Sequence, residues 1–154
     1  MNPQLKATVE ELANKARGML RQHGHLMPVA FIFYNQNSVD ICGCPWTDDD
    51  GKEETVVFLR NMARQKNATA FAMLAEAWHA KLDGCKSLAD WDGTPASEMP
   101  NREEIVQVYV ESLDGYWFGM APITRDTGRP TFGALEWQPM RERHYLERFQ
   151  KILA

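Results

Sequence analysis

An apolar run at residues 68–82, ATAFAMLAEAWHAKL, constrains the fold more than any other feature of the sequence. As a helix, the run would gather its larger apolar side chains on one face, namely Phe71, Leu74, Ala75, Trp78 and Leu82. Its alanines also favour a helix. As a strand, it would be apolar on both faces, which is typical of a central strand covered on two sides. A helix here would fuse with the helix predicted before it into one of roughly 30 residues, well beyond the usual length, so we interpret the run as a buried strand that begins just after Lys66 and Asn67.

Two predicted helices and a hairpin precede the central run. Residues 3–23 repeat apolar side chains at helical spacing and end before Gly24, which adopts a left-handed conformation without steric cost. Aromatic and β-branched residues on both sides of an Asn-rich turn predict two antiparallel strands within residues 29–44. Residues 53–66 begin with acidic and end with basic side chains, the order that complements a helix dipole.

A second hairpin is predicted after the central run. Residues 104–123 are rich in β-branched and aromatic side chains on both sides of an Asp-Gly dipeptide at 114–115, which favours a type I′ turn. Pro122 cannot donate a ladder hydrogen bond, so its strand is expected to lie at an edge or to end there. Residues 131–137 offer a short extension, and the apolar spacing of residues 140–153 predicts a closing helix.

The resulting element order is α-β-β-α-β-β-β-α. It predicts an α+β fold, a single domain over residues 1–154 with a mostly antiparallel five-stranded sheet flanked by helices. In element order this layout resembles the roadblock and profilin-like class of small αβ folds, whose members are often dimeric scaffolds or adaptors. The resemblance concerns the layout alone and transfers no residue role.

Composition excludes several classes of protein. The chain is 44% hydrophobic and 25% charged, which is typical of soluble globular proteins. No run approaches the roughly 18 apolar residues of a membrane span, and the first residues do not resemble a secretory signal, so no membrane partner is expected. A net charge of -4 argues against nucleic-acid binding, because phosphate contacts need clustered Lys and Arg. Three cysteines without framework spacing favour a reducing compartment, and we expect a cytoplasmic protein.

No cofactor or metal site is predicted. Cys42 and Cys44, with His23 and His25 upstream, include the right ligand types for zinc, but Cys-x-Cys is not the Cys-x-x-Cys turn of zinc sites. Small, half-buried cysteines in a hairpin are the favoured interpretation. The acidic cluster at residues 48–51 does not fit the ligand spacing of a calcium loop.

A long connection at residues 83–102 suggests an alternative function. Connections of about 20 residues are unusual in compact domains and often cover a functional site. A pocket beneath it, lined by Glu76, His79 and Trp91, would make the protein an enzyme or a small-ligand binder. Glu76 and His79 share a face only if the central run is a helix; otherwise Glu76 could anchor a cation such as Arg125. No nucleophile, dinucleotide or phosphate-loop motif supports an enzyme.

Aromatic side chains motivate the favoured hypothesis. Tyr116, Trp117 and Phe118 are consecutive, and because neighbouring strand residues face opposite sides, at least one must lie away from the primary core. A helix or a partner could cover it, since aromatic residues concentrate in binding hot spots. We therefore expect a protein that acts through protein-protein contact, as a homodimer, adaptor, scaffold or inhibitor, with Trp91 as a further contact residue.

Overall fold

Two helices and a seven-stranded sheet make up the regular structure of the described residues. The structure is a computed structural model, and it describes residues 1–82, 88–126, 128–140 and 152–153. The elements, in chain order, are α1 (Pro3–His23), β1 (Val29–Tyr34), β2 (Ser38–Gly43), α2 (Asp49–Lys66), β3 (Ala70–His79), β4 (Glu103–Ser112), β5 (Gly115–Thr124), β6 (Thr131–Phe132) and β7 (Glu136–Met140). Two short 3-10 helices, Leu88–Asp90 and Ala96–Glu98, lie between β3 and β4.

The central run is a strand, as predicted. β3 pairs antiparallel with β1 on one side and with β4 on the other, so it lies in the interior of the sheet. Residues 70–75 are all buried, whichever face they belong to. This burial on both faces explains why the sequence lacks the alternation of a half-exposed strand.

The strand order is β2-β1-β3-β4-β5, with β6 and β7 both paired to the far side of β5. The predicted α+β class is confirmed, but the predicted count of five strands is wrong because residues 131–140 add two more. β7 includes Met140, where the closing helix was predicted to begin. Residues 141–151 of that predicted helix lie outside the described residues, and residues 152–153 are not helical.

Pro122 lies where β5 has a neighbour on one side only. It opposes Ile105 on β4, while β7 pairs with residues 116–120 and β6 with residues 123–124. The missing amide of proline therefore falls in the gap between the two short strands. Pro122 therefore lies at an edge only at this one point of the strand, and it does not end β5, which continues to Thr124.

Each helix covers one face of the sheet. α1 ends at Gly24, which has φ 81°, as its sequence predicts. α2 begins at Asp49 rather than at residue 53, because the Asp48 carboxylate caps it by accepting from the Gly51 amide at 2.7 Å. The α1 face buries Val9, Ala13, Ala16, Leu20, Leu26, Phe31, Ala72, Leu74, Val106, Val108, Val110, Ala121 and Phe132. The α2 face buries Ala30, Ile32, Cys44, Val56, Leu59, Ala63, Phe71, Met73, Tyr109 and Ile152.

The second hairpin forms, but its turn is displaced by one residue. Ser112 opposes Gly115, so Leu113 and Asp114 are the turn residues. Neither has a positive φ, whereas Gly115 has φ 136°. The glycine therefore follows the turn and takes the positive φ, which makes the predicted type I′ turn at 114–115 wrong in position and type.

Candidate functional site

The strand geometry separates Glu76 from His79. An odd spacing on β3 directs the two side chains to opposite faces. On the α1 face, Glu76 accepts a hydrogen bond from the Leu26 amide at 2.8 Å and lies 4.0 Å from Arg125. On the other face, the His79 imidazole contacts Glu103 at 3.0 Å. Both side chains thus have structural partners, and the strand does not bring them together.

Trp91 lies in the connection between β3 and β4. Its indole is 41% exposed, and its Nε1 donates to the carbonyl of Thr94 in the same segment at 3.0 Å. The two ends of the connection are joined to each other, because the Asn101 side chain donates to the Lys81 carbonyl at 2.9 Å. Residues 83–87, including Cys85, lie outside the described residues.

The aromatic residues of β5 are half-buried within the sheet. Tyr116, Trp117 and Phe118 pair with β4 on one side and with β7 on the other. Trp117 packs against the α1-face core, and Tyr116 packs against the α2-face core, where its ring stacks on Tyr109 at 6.3 Å. The alternation anticipated from the sequence therefore distributes these rings over both faces.

Cys42 and Cys44 project to the α2 face. The Cys42 thiol lies 3.9 Å from the Met62 sulfur, and the Cys44 thiol donates to the Cys42 carbonyl at 3.4 Å. Burial, with a smaller contribution from Cys42, raises the pKa of Cys44 to about 11, so this thiol stays protonated at neutral pH. Within the described ranges, His, Cys, Asp and Glu side chains do not gather in threes close enough to hold a metal ion.

Among the residues that the structure describes, the backbone of β2 has no partner on its outer side. In the pairing with β1, the Cys44 amide donates to the Pro28 carbonyl at 2.8 Å, so the even-numbered residues bond inward. Antiparallel strands alternate inward and outward bonding from one residue to the next. Val39, Ile41 and Gly43 therefore direct their N–H and C=O groups away from the sheet. This is the free edge of the sheet, and we call it the β2 edge.

Apolar side chains follow the same three residues. Val39 and Ile41 oppose Phe33 and Phe31 on β1, which places them on the α1 face. Ile41 is 63% exposed and Val39 is 37% exposed. Met27, itself 46% exposed, lies over Gly43: a Cβ built on this glycine would be 2.8 Å from the Met27 methyl carbon. Exposed apolar surface and unpaired backbone thus coincide.

The α2 face of the β2 edge is neutral and partly apolar. Asp40 accepts from the Tyr34 hydroxyl at 2.8 Å and lies 3.4 Å from the Lys66 ammonium. Met62 contacts Cys42, and Phe58, one turn earlier on α2, is 54% exposed. The single carboxylate of β2 is therefore paired within its own chain.

An open depression of about 710 Å³ adjoins the β2 edge at the turn end of the sheet. It lies between the start of α1, the β1–β2 turn and the β4–β5 turn, and its lining combines hydroxyl and amide groups with Leu5, Phe33 and Val39. β3 ends at His79 at the opposite end of the sheet, where the connection at residues 83–102, under which the sequence predicted a pocket, follows it.

Sequence reasoning missed the β2 edge as a candidate site. The alternation of Val39 and Ile41 with Ser38, Asp40 and Cys42 was visible, but it predicts a half-covered strand in any position. Which strand lies at the edge depends on pairing order, which is a property of the whole sheet. The available signal was the lack of Lys, Arg and Pro between residues 38 and 43, since edges protected from pairing usually contain them.

Comparison with known proteins gives a family but no function. A family model described as bacteriophage lambda protein ea47 matches residues 1–144. No curated protein and no solved structure matches the chain. Within the described ranges, neither helix combines the length and the apolar character that a membrane crossing requires. The match extends over nearly the whole sequence, and the chain therefore belongs to the bacteriophage lambda protein ea47 family.

Proposed function

We propose that this protein acts in the cytoplasm through protein-protein contact, and that its β2 edge docks an extended segment of another protein chain. The observation that carries the proposal is the coincidence of unpaired backbone and exposed apolar side chains at Val39 and Ile41. The free thiols of Cys42 and Cys44 support a reducing compartment.

Strand addition uses both features of the β2 edge. An added strand gains affinity from main-chain hydrogen bonds and specificity from alternate side chains. Each new hydrogen bond contributes about 1 kcal/mol. Covering the exposed part of Ile41 contributes about 1 to 2 kcal/mol more, given the 1.5 to 3 kcal/mol of a fully buried aliphatic side chain. A few residues of pairing therefore supply a useful fraction of a binding free energy.

The opposite edge of the sheet supports the choice of β2. Strands at free edges are commonly protected by short length, charge or proline. β7 has five residues and includes Pro139 and Glu136, and β6 has only two residues. β2 has six residues and no proline, and its one charged side chain, Asp40, is paired with Lys66 of its own chain at 3.4 Å. The chain thus protects one edge and leaves the other open.

The aromatic residues singled out from the sequence support the proposal less directly, and Glu76 and His79 belong to the alternative of an enzyme or small-ligand binder. The rings of Tyr116, Trp117 and Phe118 lie on a strand that is paired on both sides, and two of them contribute to the cores. Glu76 and His79 point to opposite faces. The β2 edge combines exposure with unused hydrogen-bonding capacity, so it is the surface on which the proposal rests.

The proposal is tested by placing a charge on the β2 edge. Ile41→Lys puts an ammonium on the α1 face, where the apolar side chain beside the added strand would otherwise be covered, so it should weaken association of the protein with itself and with other proteins. Light scattering of the purified protein, and mass spectrometry of proteins retained by a tagged form, measure the two kinds of association. The matched control is Leu113→Lys, since Leu113 is 83% exposed but lies in the β4–β5 turn.

The control variant should associate like the wild type. A wild-type protein that is strictly monomeric and that retains the same proteins as Ile41→Lys would overturn the proposal. Both replaced side chains are exposed, so both lysine variants should fold like the wild type. Circular dichroism of the two variants checks this expectation.

A further inference from the structure

We infer that the occupant of the β2 edge is a second copy of this chain, paired antiparallel so that Ile41 lies opposite the partner's Ile41. The inference rests on the proposed function and adds the identity of the docked strand and its register. It predicts a twofold dimer in which one continuous sheet runs through both protomers.

The alternation of inward-bonding and outward-bonding residues along β2 restricts the register of the two strands. Opposed residues in an antiparallel pair lie on the same face, and only outward-bonding residues can exchange hydrogen bonds with each other. In β2 the outward-bonding residues are Val39, Ile41 and Gly43. Twofold pairing must therefore place odd-numbered residues opposite odd-numbered ones. The symmetry axis then passes through a residue, and the candidates within the strand are Val39, Asp40, Ile41 and Cys42.

The side chains and the backbone donors select Ile41 among these centres. A centre at Asp40 sets two carboxylates directly opposite each other, which is destabilising. A centre at Cys42 opposes Val39 to Pro45, which has no amide to donate. A centre at Val39 opposes Ile41 to Asn37 in the turn, outside the strand.

A centre at Ile41 keeps all opposed odd residues inside β2. It sets Ile41 against the partner's Ile41, and Val39 against the partner's Gly43.

The Ile41-centred register also forms an unbroken apolar stripe on the α1 face. Gly43 has no side chain, and Met27 occupies the space above it. The partner's Val39 would therefore contact Met27, and the two Ile41 side chains would meet at the axis. Met27, Val39 and Ile41, all exposed in the single chain, become covered together. The absence of a side chain at Gly43 thus leaves room for Met27 beside the partner's Val39.

Charge is compatible with a second copy. Asp40 would oppose the partner's Cys42, and each Asp40 is already 3.4 Å from its own Lys66. Each carboxylate thus faces a thiol and not a second carboxylate, so the opposed side chains of the two β2 strands do not repel each other. The hydrogen bond from Tyr34 to Asp40 at 2.8 Å holds the carboxylate against its own protomer.

The edge of the sheet formed by β6 and β7 limits the assembly to two copies. Pairing of one patch with itself is isologous and ends at two copies. Growth beyond a dimer would need a second competent edge, and on that side Pro139 interrupts the donors of β7. The geometry therefore predicts dimers and not open filaments.

Cysteine cross-linking tests the register. Ile41→Cys, in a background with Cys42→Ser and Cys85→Ser, places two thiols on opposed residues about 5.5 Å apart between Cα atoms, within disulfide range. Oxidation should yield a covalent dimer in most of the protein. The matched control is Val39→Cys in the same background, whose two copies would lie four residues apart along the strands, roughly 13 Å. It should remain uncross-linked.

Sedimentation of the wild type measures the dimer itself, and Ile41→Lys should convert it to monomer. A strictly monomeric wild type that still retains another protein in an Ile41-dependent way overturns the second copy while leaving the proposed function standing. A wild-type dimer in which Val39→Cys cross-links as well as Ile41→Cys overturns the register. A dimer unaffected by Ile41→Lys overturns both the inference and the proposed use of the β2 edge for self-association.

Discussion

At the scale of single residues, Glu111 shows how a buried carboxylate organises its surroundings. It is 3% exposed, and its two oxygens accept hydrogen bonds from the amides of Ile152 and Leu153 at 2.9 and 3.2 Å. Ile152 is fully buried in the α2-face core. Burial raises the pKa of Glu111, while these amides act in the opposite direction. Glu111 therefore attaches residues 152–153 to β4.

The raised pKa of Glu111 predicts a pH dependence of stability. A carboxyl group whose pKa is higher in the folded state stabilises the fold below its ordinary pKa, and this contribution is lost as pH rises through the raised value. Glu111→Gln has no such proton to lose. The free energy of unfolding of the wild type, relative to Glu111→Gln, should therefore fall as pH rises from 4. Urea unfolding of both proteins measures it, and a difference independent of pH would contradict the assignment.

Gly119 is required by a close approach of Trp137. A Cβ at this position would lie 3.0 Å from two ring carbons of Trp137, whose Nε1 donates to Glu10 at 3.1 Å. Gly119→Ala should lower the free energy of unfolding by about 1 to 3 kcal/mol, the usual cost of overpacking. Gly133→Ala is the control, since an added Cβ there meets no atom within 4 Å. Equal stability of the two variants in urea would show that the Trp137 ring moves freely.

At the scale of elements, β3 and β2 show what local sequence can and cannot predict. β3 was predictable because a run that is apolar on both faces, preceded by a helix of ordinary length, leaves a buried strand as the simpler solution. The edge position of β2 was not, since Val39 and Ile41 alternate as they would in a covered strand. β7 was missed because Pro139 and Glu136 weaken its strand pattern, and its pairing with β5 compensates. The Asp114-Gly115 dipeptide predicted the hairpin. It did not predict the turn type, because Gly115 has a positive φ and Asp114 does not.

Substitution of Trp117 distinguishes the stability of the core from the association of the protein. Its ring packs against the α1-face core, so Trp117→Ala should lower the free energy of unfolding by about 2 to 3 kcal/mol, below the cost of a fully buried tryptophan. Because β5 is paired on both sides at this point, the same variant should keep the association of the wild type. Ile41→Lys should show the reverse behaviour. Urea unfolding and sedimentation of both variants check the contrast, and loss of association in Trp117→Ala would favour a partner site on β5 instead.

At the scale of the whole molecule, the sheet has two unlike edges. One side ends in the short strands β6 and β7, and the other ends in β2 with its outward backbone and exposed Ile41. The helices cover both faces, so the β2 edge is where the described fold leaves hydrogen-bonding capacity and apolar surface together. The proposed contact with other proteins would use this surface. The proposed function depends on the use of this edge.

Amide hydrogen exchange along β2 tests that dependence most directly. The amides of Asp40 and Cys42 bond to β1 and should exchange slowly at every protein concentration. The amides of Val39 and Ile41 should exchange rapidly in dilute protein and become protected, to within about tenfold of their neighbours, as concentration rises and strands pair. Val39 and Ile41 amides that exchange equally fast at every concentration, and with any associated protein bound, would contradict the account.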